Sequence, residues 1–66
     1  MNARPPLSPR QREIMRKIAA GCCDKQISIM LGISEGTIKN HMTRIFTKLN
    51  ARSRAHAVFI YFSKSI

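Results

Sequence analysis

The stretch Asp24–Leu49, DKQISIMLGISEGTIKNHMTRIFTKL, contains the pattern that decides the fold. Ser34 is a favoured N-cap residue, and Asn50 tolerates the left-handed conformation in which many helices end. Between them, apolar residues recur at the spacing of one face of an α-helix. These residues are Ile38, Met42, Ile45 and Leu49, with Phe46 beside them. The sequence therefore predicts a helix over Glu35–Leu49.

The first half of the same stretch predicts a shorter helix over Asp24–Leu31. Asp24 is a candidate capping residue for its start, and Gly32 is suited to its end. A turn of about three residues, Gly32–Ser34, then joins this helix to the longer one. Two helices joined by such a turn are typical of the helix-turn-helix motif, which we expect over about residues 25–44.

Two further helices flank this motif. Ser8 and Gln11 have the spacing of a capping box, which predicts a first helix over Pro9–Ala20 that ends at Gly21. Ser53 can cap a fourth helix, which carries the apolar residues Ala57, Val58, Ile60, Tyr61 and Phe62. We therefore expect an all-α domain of four helices over residues 7–66, preceded by a flexible arm over residues 1–6.

The charge of the chain indicates a polyanionic partner. Twelve Lys and Arg residues against three acids give the 66-residue chain a net charge of +9. Such a charge is typical of proteins that bind nucleic acid or anionic surfaces.

No nucleophile, acid–base pair or zinc-ligand spacing appears in the sequence, so we predict neither an enzyme nor a metal or cofactor site. The adjacent Cys22 and Cys23 suggest reduced thiols, with a redox role left open. No membrane span or signal peptide is evident, so the expected location is the cytoplasm.

The long helix has a second face, opposite its apolar stripe, that suits the bases of DNA. Lysine and arginine match guanine edges, asparagine matches adenine, and threonine can meet the methyl group of thymine. No acid lies on this face, and Gly36 leaves room for close approach. The predicted base contacts are Lys39, Asn40, Thr43 and Arg44.

Other cations suit the phosphate backbone, which positions a protein on DNA without reading its sequence. Lys25 lies at the start of the second helix, whose N–H groups also favour an anion. The remaining candidates lie in or beside the long helix over Glu35–Leu49, whose exposed face we predict to read the bases. They are Thr37, Lys48, Arg52 and Arg54.

Four segments of the chain resemble the LuxR-type helix-turn-helix domain, and the resemblance extends over Leu7–Tyr61. The segments are LSPRQREIM at residues 7–15, KQIS at 25–28, LGISEGTIKNHM at 31–42 and KLNARSR at 48–54. The chain departs from the family by having Gln11 and Gln26 where glutamate is frequent, and Asn50 where glycine is usual.

The resemblance implies the output domain of bacterial quorum-sensing regulators and response regulators. Such a transcription regulator binds duplex DNA at inverted repeats as a homodimer that pairs through the fourth helix. Carried over by position, Lys39, Asn40 and Thr43 would face bases, with Arg44 a further candidate. Ser34 would join the residues near phosphates, which are Lys25, Thr37, Lys48 and Arg54. RNA polymerase and a separate sensor or receiver domain are partners that the resemblance leaves open.

Two apolar groups remain with alternative interpretations. Val58, Tyr61 and Phe62 are candidates for the homodimer surface, with core packing as the alternative. Ile29 and Met30 stand where the family is commonly polar, and either form a partner surface or are ordinary exposed residues.

Two other functions of the domain also remain open. These are a monomeric promoter-binding module like those of sigma factors, and a cationic module that binds membranes or acidic proteins.

Overall fold

A computed structural model describes residues 7–64 and shows four helices. They are α1 Pro9–Ala19, α2 Asp24–Leu31, α3 Glu35–Leu49 and α4 Arg54–Lys64. The all-α architecture is confirmed, and α2 and α3 have the predicted bounds. Helix α1 ends one residue earlier than expected because Ala20 is its C-cap. The predicted arm over residues 1–6 lies outside the described residues.

The start of α1 is fixed by the predicted capping box. The backbone N–H of Gln11 donates to Ser8 Oγ at 3.2 Å, and the backbone N–H of Ser8 donates to Gln11 Oε1 at 3.0 Å. Pro9 occupies the first turn, where its missing N–H costs no hydrogen bond. Two amides that a helix start leaves unpaired are therefore satisfied by side chains of the same turn.

Helix α2 begins differently from the prediction. Its N-cap is Cys23, and Asp24 is the first helical residue, so the expectation that Asp24 caps this helix is wrong. The side chain of Gln26 accepts a hydrogen bond from the backbone N–H of Cys23 at 2.8 Å. The carboxylate of Asp24 instead pairs with Arg54 of α4 at 2.9 Å. The helix ends at Gly32, whose φ of 69° lies in the left-handed region that glycine adopts freely.

Helix α3 is capped at both ends by the residues that its sequence predicts, Ser34 and Asn50. Ser34 Oγ accepts a hydrogen bond from the backbone N–H of Thr37 at 3.0 Å. At the other end, Asn50 has a φ of 55° and is the one described residue other than glycine with a positive φ. Ser53 likewise accepts from the backbone N–H of His56 at 3.1 Å, so the predicted cap precedes α4.

The core lies around α3, which packs against each of the other three helices. Burying an aliphatic side chain of this size contributes about 1.5–3 kcal/mol, so most of the stability of so small a domain comes from this cluster. Its buried members are Leu7, Ile14, Met15, Ile18, Ile27, Ile38, Met42, Ile45, Leu49, Ala57 and Ile60. Within residues 7–64, none of the helices has the length and apolar character needed to cross a bilayer.

The left-handed cap at Asn50 gives a prediction about stability. The Asn50→Ala substitution should lower the free energy of unfolding by about 1 kcal/mol, because a β-carbon without a polar side chain disfavours this conformation. Asn50→Gly should leave stability unchanged or raise it, since glycine is the usual residue at such a cap. Urea unfolding of the two variants and the parent chain measures both effects. Equal losses for alanine and glycine would contradict the interpretation.

Candidate nucleic-acid interface

Helix α3 presents the four predicted base contacts on one exposed face. Its buried residues are Ile38, Met42, Ile45 and Leu49, which hold it to the domain. Because residues of a helix advance by about 100° each, side chains on the side opposite this stripe point away from the core. The exposed side chains include Lys39, Asn40, Thr43 and Arg44.

Two threonines on this face are already hydrogen-bonded inside the helix. Thr43 Oγ1 donates to the carbonyl of Lys39 at 3.1 Å, and Thr47 Oγ1 donates to the carbonyl of Thr43 at 3.0 Å. Each hydroxyl hydrogen is therefore used by the backbone. What remains for a ligand is a methyl group and the lone pairs of the oxygen, so Thr43 is suited to apolar contact more than to donation.

The N-terminal end of α3 holds two of the predicted phosphate contacts close together. Ser34 Oγ and Thr37 Oγ1 lie 3.0 Å apart and share a hydrogen bond, and Ser34 Oγ also caps the helix. Lys25, at the second position of α2, is exposed. The pair Ser34 and Thr37 stands at the start of α3, and Lys25 stands at the start of α2. At both places, unpaired backbone N–H groups favour an anion.

Of the other predicted phosphate contacts, Arg52 is exposed, whereas Lys48 and Arg54 have partners within the domain. Lys48 Nζ donates to Gln11 Oε1 at 2.9 Å, and Gln11 is buried with only 5% of its surface exposed. Arg54 donates to Asp24 at 2.9 Å and to the carbonyl of Cys22 at 2.7 Å. Their roles toward DNA stay predictions, and the structure gives each of them a contact that also serves the fold.

His41 lies on the flank of α3 between its buried and exposed faces and is half-buried. Its Nδ1 is buried without a hydrogen-bond partner among the described residues. A buried unpaired N–H is costlier than an unpaired lone pair, so this environment favours the tautomer with its hydrogen on Nε2. No pattern in the sequence predicted this unpaired nitrogen.

The outer surface of α4 is aromatic. Phe62 is 67% exposed, as a dimer candidate requires, while Val58 and Tyr61 are half-buried and pack against the core. Sequence reasoning missed Phe59, which is 66% exposed. Phe59 and Phe62 are separated by about one helical turn, so their rings lie on one face of α4. This spacing in the sequence was enough to predict that Phe59 belongs to the same surface as Phe62. The Tyr61 ring meets the Phe62 ring edge-on, with centroids 5.4 Å apart.

Helix α2 also exposes two apolar side chains, as its composition suggested. Ile29 is 71% exposed and Met30 is 54% exposed, whereas Ile27 on the same helix is fully buried. Both thiols are free, with Cys22 half-buried and Cys23 exposed.

Two of the three acids of the chain lie outside α3, and the third stands at its start. Glu13 pairs with Arg10 at 3.2 Å on α1, and Asp24 pairs with Arg54. Glu35 occupies the first turn of α3, where the helix dipole favours it. Glu35 is exposed one helical turn before Lys39, and no acid follows it in α3, so the part of the face that holds Lys39, Asn40 and Arg44 has a net positive charge, which suits a polyanion.

Comparison with known proteins agrees with this geometry. Residues 5–61 match the family described as bacterial regulatory proteins, luxR family. The transcriptional regulatory protein YvfU of Bacillus subtilis is 42% identical over 55 residues, which cover 83% of this chain and 28% of that protein. The nitrate/nitrite response regulator protein NarP of Escherichia coli is 38% identical over 55 residues, covering 83% of this chain and 26% of that protein.

A solved structure is similar over nearly the whole chain. The crystal structure of the response regulator ChrA, from a heme-sensing two-component system, superposes with a TM-score of 0.88 and 31% identity. The match covers 97% of this chain and 32% of that one. This chain thus spans between a quarter and a third of the length of these three proteins.

The relatives are transcription regulators and not enzymes, and the matched region includes the whole helix-turn-helix of α2 and α3. The four-helix fold and the resemblance of the sequence motifs lead to the same assignment. The chain is a helix-turn-helix DNA-binding domain that belongs to the luxR family of bacterial regulatory proteins.

Proposed function

We propose that this domain binds duplex DNA sequence-specifically by inserting α3 into the major groove, as a cytoplasmic transcription regulator. The observation that carries the proposal is the exposed face of α3 opposite its buried stripe, which bears Lys39 and Arg44 and has no acid after Glu35. The major groove admits an α-helix and presents a distinct hydrogen-bonding pattern for each base pair. Lys39, Asn40, Thr43 and Arg44 would read those patterns.

The phosphate backbone would be held beside this face by residues at the helix starts and at the end of α3. The proposed contacts are Lys25, Ser34, Thr37 and Lys48. Arg54, another predicted contact, already donates from both terminal nitrogens to partners inside the domain.

We further propose that two copies pair through α4 on an inverted repeat. The support is the exposed pair Phe59 and Phe62, together with the half-buried Val58 and Tyr61. Exposed aromatic rings on one helix face are typical of interface cores. A two-fold dimer that places one α3 in each half-site should need half-sites about 10 base pairs apart.

The proposal extends to partners beyond DNA. Response regulators among the relatives and the structural neighbour suggest that the domain works with a receiver or sensor domain and with RNA polymerase. Selection of bound sequences from random duplex DNA tests the central claim, because it reports half-site, spacing and symmetry together. A selected single site without symmetry would favour a monomeric promoter-binding module. Binding to anionic vesicles with no selected duplex would overturn the proposal.

Base contacts can be separated from general attraction to DNA. Lys39→Ala and Asn40→Ala should each reduce the preference for the selected duplex over a scrambled one by about 1–3 kcal/mol, the value of one good base contact. Fluorescence anisotropy with both duplexes measures the preference. Arg12→Ala, on the exposed surface of α1, is the matched control and should leave the preference unchanged.

A phosphate contact should show itself through salt. Lys25→Gln should weaken binding to selected and scrambled duplexes alike, because phosphates carry no sequence information. The slope of log affinity against log salt should fall in magnitude by about 0.9, the value for one phosphate contact. Lys25 is a cleaner choice than Lys48, whose loss also removes the hydrogen bond to Gln11. A Lys25→Gln variant with the parent slope would remove this residue from the interface.

The dimer surface has a test of its own. Phe59→Ser and Phe62→Ser should abolish cooperative binding to two half-sites while leaving affinity for a single half-site unchanged. Both residues are exposed, so neither change should unfold the domain. Binding to duplexes with one and with two half-sites, together with sedimentation analysis, measures this difference. Unchanged cooperativity in both variants would place the dimer contact elsewhere.

A further inference from the structure

Arg54, the first residue of α4, reaches across the domain to the start of α2. Its Nη1 donates to Asp24 Oδ1 at 2.9 Å, and its Nη2 donates to the carbonyl of Cys22 at 2.7 Å. Nη1 also lies 3.7 Å from the sulfur of Met42 in α3. A single guanidinium thus touches the α1–α2 loop, the first turn of α2 and the buried side of α3.

These contacts form a defined site and not a loose surface pair. The side chain of Asp24 is 22% exposed and that of Arg54 is 39% exposed, so solvent screens the pair only in part. The planar fork of arginine suits two acceptors held at fixed positions, which a lysine ammonium cannot match. An open cleft beside the pair is lined by Lys25 and Glu35 as well, which places Arg54 next to both helices of the motif.

Helix α2 has few other anchors. It has eight residues, and Ile27 is its one fully buried side chain. A helix this short is marginal by itself and depends on tertiary contacts. Ile27 holds its middle against the core, whereas Arg54 holds its first turn.

We propose that Arg54 is a positioning residue, and not a phosphate contact: it fixes the first turn of α2, and with it Lys25, relative to α3. The consequence for DNA rests on the proposed function, in which α3 reads bases while α2 contacts the backbone. With its first turn released, α2 would no longer hold the domain in one register on the duplex, so the base contacts of α3 would lose discrimination.

The two roles predict opposite effects for the residue that pairs with Arg54. If Arg54 is a positioning residue, Asp24→Ala removes its partner and should lower the preference for the selected duplex. If Arg54 is a phosphate contact, Asp24→Ala removes a competing carboxylate and should tighten binding to all duplexes with the preference unchanged. The ratio of the affinity for the selected duplex to the affinity for the scrambled duplex therefore distinguishes the two roles.

The experiment compares Arg54→Gln, Asp24→Ala and the control Lys25→Gln on selected and scrambled duplexes over a range of salt. We expect Arg54→Gln and Asp24→Ala each to lower the ratio of the affinity for the selected duplex to that for the scrambled duplex by about fivefold or more, as for loss of a base contact. Lys25→Gln should keep the ratio and lose about 0.9 of the slope. A reduced slope in Arg54→Gln with an unchanged ratio in Asp24→Ala would overturn the proposal, and so would parent behaviour in both variants.

A second measurement needs no DNA. The backbone N–H of Ile27 donates to the carbonyl of Cys23 at 3.0 Å and so reports on the first turn of α2. Arg54→Gln should speed hydrogen exchange at this amide by about tenfold or more, a local opening that leaves the Ile45 amide of α3 near its parent rate. Equal acceleration at both amides, or none, would overturn the proposal.

The conservative variant Arg54→Lys keeps the charge but lacks the fork, and its exchange at Ile27 should fall between those of the parent and Arg54→Gln. It also supplies the measurement if Arg54→Gln does not fold. If the parent chain selects no duplex, the proposed function fails, while the exchange rates still decide whether Arg54 positions α2.

Discussion

The buried stripe of α3 is the constraint on which the rest of the structure depends. Ile38, Met42, Ile45 and Leu49 meet side chains from α1, α2 and α4, so the other helices are arranged around one central helix. Because the stripe fixes the rotation of α3 about its axis, it also fixes which side chains face outward. A rotation by one residue, about 100°, would expose part of the stripe and bury Lys39. Stability and the exposed recognition face therefore come from the same set of residues.

Short connections between the helices are possible because their ends are satisfied locally. Side chains of Ser8, Gln26 and Ser34 take part in hydrogen bonds to backbone amides of the first turns. Gln11 has two roles, since its Oε1 accepts from the Ser8 amide and from Lys48. One neutral side chain thus joins the start of α1 to the end of α3.

The sequence was sufficient for features set by neighbours along the chain. The helical period predicted α3 and its two faces, and capping residues predicted both ends of α3 and the end of α2, because these depend on spacings of three or four residues. The contacts that it did not reveal join distant segments. Arg54 with Asp24 spans 30 positions and Lys48 with Gln11 spans 37, so neither pairing leaves a local pattern. Phe59 is a different case, since the period that buries Ala57 and Ile60 already places it outside.

The internal hydrogen bonds of Thr43 and Thr47 have a consequence for what the proposed interface could sense. With both hydroxyl hydrogens held by backbone carbonyls, these side chains offer methyl groups to a groove. In the major groove, the group that they would meet is the C5-methyl of thymine. Methylation of cytosine at C5 places the same group at the same position. A domain that docks in this way would therefore respond to the methylation state of its site as well as to its base sequence.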